Sequence, residues 1–131
     1  EFVRAASSSE EEFQQSLASM HAALDKAAEK VRQKTPAQKD LIGQVDALID
    51  TLYFTYGSFA LMGVDPERIF DIVHEANMGK VFPDGKAHFD PVTHKILKPD
   101  DWDEKYAPEP AIRKELQRQL KAYERHKERN K

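Results

Sequence analysis

The chain has 131 residues, 40% of them hydrophobic and 33% charged, with a formal net charge of -3. That length suits a single domain over 1–131, able to bury about two thirds of its unfolded surface, and the supply of Leu, Ile, Val and Phe excludes a wholly disordered chain. The absence of cysteine excludes disulfides, zinc fingers, thiol nucleophiles and iron–sulfur clusters. A pI near 6.0 argues against a nucleic-acid partner. Glu1-Phe2-Val3-Arg4 lacks a basic start followed by a long apolar run, so no signal peptide and a cytoplasmic location are expected.

The charge is unevenly spread: -1 over 1–40, -5 over 41–79 and +3 over 80–131. An acidic middle and a mildly basic end suit a metal together with an anionic ligand, although ordinary surface scatter gives the same sums.

In chain order, residues 5–9 read as a loop or helix start, with Ser9 as N-cap and Glu10, Glu11 and Glu12 favourably placed against the helix dipole. Phe13, Leu17, Met20, Leu24, Ala27 and Val31 alternate at spacings of four and three, which predicts a helix over 10–34 stopped by Thr35-Pro36. A second helix is expected over 37–62. From Leu41 to Met62 its only charges are Asp46 and Asp50, and its apolar residues cover nearly every face. Such a helix belongs inside a core or a membrane. The two carboxylates, Gln44 and the lack of flanking aromatic anchors favour the core, so this is expected to be the central helix and no membrane partner is expected.

Gly63 is expected to end that helix, and Asp65-Pro66 to start a third over 66–78. Its buried face is expected to be Ile69, Phe70, Ile72, Val73 and Ala76, with Gly79 as its stop. Over 81–107 a small β-hairpin around Asp90-Pro91-Val92-Thr93-His94 and an irregular acidic loop are expected. Trp102 reads as a pin for that loop or as a platform for a base. A charged C-terminal helix over 110–129 carries one narrow stripe: Ile112, Leu116, Leu120 and Tyr123.

Asp46 and Asp50 carry the strongest chemical signal. Four residues apart, they share one helical face, repel each other, and sit in the most apolar segment of the chain. An ionised carboxylate in such surroundings needs a raised pKa or a cation. Carboxylate oxygens are hard ligands suited to magnesium or manganese. The competing reading places them on an exposed strip or beside a basic residue of another helix. Asp25 and Glu29 are also four apart and could add ligands; the competing reading there is a solvated face interleaved with Lys26 and Lys30. His74, Asn77 and Lys80 share a face at spacings of three, where Asn77 and Lys80 could bind phosphate oxygens, or simply form a helix end.

The run Val45-Asp46-Ala47-Leu48-Ile49-Asp50-Thr51-Leu52-Tyr53-Phe54-Thr55-Tyr56-Gly57 resembles the second metal helix of the all-α nucleotide pyrophosphohydrolases, the MazG-like and phosphoribosyl-ATP pyrophosphohydrolase-like proteins. Gly63 to Pro66, Val73 to Lys80, Asp84-Gly85-Lys86 and Lys95 to Pro99 are similar to a branch of that superfamily, so the likeness covers about 40–103. It implies an all-α helical bundle that binds magnesium through EExxE and ExxD motifs and is usually a homodimer or homotetramer. It also implies a nucleoside triphosphate substrate, cleaved to monophosphate and pyrophosphate.

Asp50 matches the Asp of the second motif, but that motif's Glu falls at Ala47, with Asp46 one residue away. Glu11-Glu12-Phe13-Gln14-Gln15 has two acids of the first motif and Gln in the third place. Met20-His21-Ala22-Ala23-Leu24-Asp25-Lys26 fits the expected distance better but puts alanines where the paired acids belong. Two expectations follow. The first is a magnesium-dependent (or manganese-dependent) pyrophosphohydrolase with Asp46 and Asp50 as catalytic and metal-binding residues, Asp25 and Glu29 as further metal ligands, and Asn77 and Lys80 on the substrate. The second is a catalytically inactive MazG-like helical module serving protein interaction or oligomerisation.

Overall fold

The computed structural model describes residues 1–34 and 39–130. Among them the chain forms six helices: α1 (Phe2–Ala6), α2 (Glu10–Lys34), α3 (Leu41–Met62), α4 (Glu67–Met78), α5 (Trp102–Tyr106) and α6 (Glu109–Arg129). The fold is all-α, as expected. Two compact units divide the chain, Glu1–Val45 and Asp46–Lys131.

In the first unit, α1 is a turn that the sequence pattern does not announce. Arg4 holds it to the start of α2, with Nη1 2.6 Å from Glu10 Oε2 and the guanidinium 5.1 Å from the centroid of the Phe13 ring. Ser9 caps α2 as expected, its Oγ accepting the N–H of Glu12 at 3.1 Å. Glu12 in turn accepts the Ser8 N–H at 2.7 Å, and the Ser8 hydroxyl and backbone bonds hold its carboxyl below the usual carboxylate range. The 25 residues of α2 give a rod about 37 Å long. Phe13 and Leu17 on its stripe are half-buried, while Met20, Leu24 and Val31 are exposed.

The stop expected at Thr35-Pro36 and the start expected at residue 37 lie outside the described residues. Lys39 and Asp40 are not helical. Asp40 instead caps α3, its Oδ1 accepting the N–H of Gly43 at 3.1 Å. The far end of α3 closes in a Schellman motif. Gly63 takes φ +67°, the N–H of Val64 reaches the Phe59 carbonyl at 3.0 Å, and that of Gly63 reaches Ala60 at 3.1 Å.

The expectation that α3 is a buried central helix is not met: it buries no residue in the single chain, and only Phe59 is half-buried. The principal helix pairing in the second unit is between α4 and α6, which leaves the apolar circumference of α3 uncovered. No single helix among the described residues is long and apolar enough to cross a membrane.

In α4 the expected face is partly right. Ala76 is buried and Ile69 and Ile72 are half-buried, but Phe70 is 70% exposed. Pro66 rather than Asp65 is the cap residue, and Asp65 assists by accepting the Glu67 N–H at 3.1 Å.

The expected β-hairpin does not form. Two isolated antiparallel bridges, Val81 with Ala87 and Phe89 with Ile96, replace it, and no β-strand occurs among the described residues. Asp90 shapes the turn between the two runs, its Oδ1 accepting the N–H groups of Val92 (3.0 Å) and Thr93 (2.6 Å), while its own N–H reaches the Lys95 carbonyl at 2.8 Å. His94 then needs φ 56°, and Pro91, without an N–H, cannot extend a ladder.

α6 meets α4 and the residue before its cap through polar groups. Gln119 exchanges two bonds with the backbone of Asp65, accepting its N–H at 3.0 Å and donating to its carbonyl at 2.9 Å. Glu115, buried at 5% exposure, accepts Nε and Nη2 of Arg118 at 2.8 and 2.6 Å and Nε2 of Gln119 at 3.0 Å. Arg68 of α4 lies 3.8 Å from the same carboxylate. Leu120 and Tyr123 of the stripe remain exposed.

The bonds from Arg118, then Gln119, with the charges of Arg118 and Arg68, hold the Glu115 carboxyl at about 2 against an ordinary 4.5. A depressed folded-state pKa contributes stability that is complete above the unfolded value and lost as pH falls through the folded one. Thermal melts between pH 6 and pH 2 should therefore show the wild type losing melting temperature faster below about pH 4.5 than Glu115→Gln, which lacks the titrating group. Parallel pH profiles would contradict this role.

Candidate functional site

α3 presents Asp46 and Asp50 one turn apart on one face, and both are exposed. Among the described residues neither takes part in a hydrogen bond or ion pair. The nearby hydroxyls are spent on their own helix: Thr51 donates to the Ala47 carbonyl at 2.9 Å and Thr55 to the Thr51 carbonyl at 2.7 Å. The two carboxylates thus keep their oxygens free for a cation. On α2, Asp25 is likewise without a partner among the described residues. Glu29 is engaged, accepting Gln33 Nε2 at 2.8 Å and lying 3.5 Å from Arg32 Nη1. No group of three or more His, Cys, Asp or Glu side chains converges on a point among the described residues.

The structure does bring Asn77 and Lys80 together. Lys80 Nζ donates to Asn77 Oδ1 at 2.8 Å at the C-terminal end of α4. His74 is not part of the pair; its ring stacks parallel to Phe70, centroids 6.3 Å apart.

Beneath the pair lies Trp102, 6% exposed, whose Nε1–H donates to the Ala76 carbonyl at 2.8 Å. This decides between the two readings of Trp102: it pins the loop, and so buried a ring has no open face for a base. Lys80 Nζ stands 5.8 Å from its ring centroid and Lys98 Nζ 3.7 Å. Sequence reasoning passed over Lys98. The available signal was its place four residues before Trp102, one cation in a stretch crowded with Asp100, Asp101, Asp103 and Glu104.

Gly79 belongs to the same construction. Its φ of -62° is ordinary, so it is not a left-handed helix stop. A Cβ there would come 2.5 Å from Tyr106 Cγ, so glycine is needed because the Tyr106 ring lies against the backbone.

The family model of phosphoribosyl-ATP pyrophosphohydrolase matches residues 1–77. The chain belongs to this pyrophosphohydrolase family. The matched region includes Asp25, Glu29, Asp46, Asp50 and Asn77, while Lys80, Lys98 and Trp102 lie beyond it. The chain is also similar to the crystal structure of a candidate NTP pyrophosphohydrolase from Exiguobacterium sp. 255-15, with a TM-score of 0.81 and 39% identity over 93% of this chain and 72% of that one. No curated protein matches the chain. The pyrophosphohydrolase fold therefore reaches past residue 77 into the segment that carries Trp102.

Packing of Tyr106 on Gly79 generates a prediction. Gly79→Ala should destabilise the protein by about 1–3 kcal/mol through overpacking, and most of that loss should vanish in a Tyr106→Ala background. Thermal or urea melts of the four variants of this cycle measure it; equal losses in both backgrounds would show that the two residues do not meet.

Proposed function

We propose that the protein is a magnesium-dependent nucleoside triphosphate pyrophosphohydrolase, which cleaves NTP or dNTP between the α and β phosphates to give a monophosphate and pyrophosphate. The observation that carries this reading is the family match over residues 1–77, the region that holds both acid pairs. Two carboxylates one turn apart, uncommitted among the described residues, are hard oxygen ligands of the kind magnesium takes, with manganese an acceptable substitute. Asp25 and Glu29 are enlisted as further carboxylates on their spacing in the sequence alone.

When bound, the ion supplies Lewis-acid polarisation of the phosphoryl oxygen and activation of water. The chain's own residues do the rest. Asp46 and Asp50 hold positive charge where the phosphates arrive. The Lys80 ammonium and the Asn77 amide donate to phosphate oxygens, the first as a charge and the second as a neutral donor.

The exposed apolar face of α3 supports a homo-oligomer, a dimer or tetramer. Ile42, Leu48, Tyr53, Phe54 and Leu61 are each more than 60% exposed in the single chain. Continuous apolar surface beyond a few hundred Å² is uncommon on a monomer. A second copy of the chain would also lower the dielectric around Asp46 and Asp50, strengthening their demand for a cation.

A second reading, the inactive interaction module, is favoured by one observation: Ala22 and Ala23 occupy the place of the paired acids in the first motif. Two measurements decide. Magnesium at 100 times its dissociation constant should add about 2.7 kcal/mol of stability by mass action, read as a rise in melting temperature, and Asp50→Asn should remove that rise. Pyrophosphate release should be detectable on at least one member of a panel of nucleoside triphosphates. A folded protein with neither response is the interaction module. Light scattering should give a mass of at least twice 15.0 kDa; a monomer would overturn the oligomer proposal.

A further inference from the structure

The segment between α4 and α5, residues 79–101, brings a second ammonium group to the Trp102 ring. Lys80 and Lys98 both approach one indole, their Nζ atoms 5.8 and 3.7 Å from its centroid, where the ring quadrupole attracts each. Their partners hold them only loosely. Lys80 is bonded to the neutral oxygen of Asn77. Lys98 pairs with Asp103 at 3.0 Å, but the Asp103 side chain is 80% exposed, and such a surface pair is weak and easily exchanged.

Apart from the exposed Asp103 carboxylate that pairs with Lys98, what the cluster offers a ligand is donors: two ammonium groups, and the Asn77 amide N–H groups left over once Oδ1 has accepted Lys80. The complementary ligand has several anionic acceptor oxygens and needs no donor of its own. The platform beneath is fixed, because Trp102 is anchored to the Ala76 carbonyl and almost wholly buried.

We propose that Lys98 is a phosphate contact, forming with Asn77 and Lys80 a polyphosphate subsite carried on Trp102, and that Asp103 occupies Lys98 until the anion displaces it. The proposal deepens the nucleotide reading above and rests on it for the identity of the polyphosphate.

The chain contains one tryptophan, so its fluorescence reports this cluster alone. The full chain is titrated with inorganic pyrophosphate and tripolyphosphate in chelator at constant ionic strength, with sodium chloride as control. The expected result is a saturable change in emission with the polyphosphates and none with chloride. Lys98→Ala should raise the midpoint by about tenfold, since a charge-assisted bond is lost. Asp103→Asn should lower it severalfold by removing the competitor, whereas a merely structural ion pair would weaken binding in both variants. A flat titration, or a midpoint unmoved by Lys98→Ala, overturns the proposal. If nucleotides are hydrolysed while the titration stays flat, this inference alone falls. If polyphosphate binds with the stated variant effects and no nucleotide is cleaved, the subsite stands and the enzyme reading falls.

Discussion

The hydrogen bond from the Trp102 indole to the Ala76 carbonyl, 2.8 Å long and buried, joins residues 26 apart and sets the geometry of the second unit. Ala76 lies in the last turn of α4, where backbone carbonyls have no partner within the helix. Trp102 satisfies one of them and places its ring under Asn77 and Lys80. The same anchor starts α5, whose last residue, Tyr106, lies against Gly79. Two aromatic residues of one short helix therefore clasp the end of α4, and the intervening residues must loop out and return. That return carries Lys98 to the ring.

α3 states the opposite problem. Its sequence combines what water rejects, a nearly unbroken apolar surface, with what an apolar medium rejects, two like charges on one face. In the single chain both are exposed, so the apolar surface bears the cost and the charges do not. Covering the helix would reverse this, leaving Asp46 and Asp50 near apolar surroundings and in need of a counter-charge. The proposed divalent cation and the proposed second copy of the chain would answer the two halves of one problem. If both hold, oligomerisation and metal affinity would be coupled through the dielectric around the acid pair.

Helices with strong periodicity were legible from the residues alone. The 10–34 stripe, the Gly63 stop and the charged C-terminal helix required only local rules of spacing, capping and glycine geometry. Tertiary competition hid the rest. Alternation around His88-Phe89 and Lys95-Ile96-Leu97 suggests paired strands, and backbone bonds from Asp90 to Lys95 and from Leu97 to His88 do join the two runs, but the pairing goes no further than the single Phe89–Ile96 bridge. Apolar composition suggests burial of α3, yet burial depends on what lies opposite, which one chain's periodicity does not contain. Asn77 and Lys80 were visible as a spacing of three. Lys98 was not, because its significance depends on where Trp102 folds back.

The uneven charge along the chain acquires a structural meaning at this point. The -5 of residues 41–79 includes Asp46 and Asp50, the uncommitted carboxylates, and the +3 of residues 80–131 begins with Lys80 and includes Lys98. A metal-laden polyphosphate is itself divided in this way, with cationic and anionic portions bound together. A site of uniform charge of either sign attracts one of these portions and repels the other. On the proposed reading, acids on a helix and ammonium groups on a loop pinned by Trp102 would give each portion its own complement. On that reading, exchanging the loop's cations would alter phosphate binding while leaving the carboxylates of α3 in place.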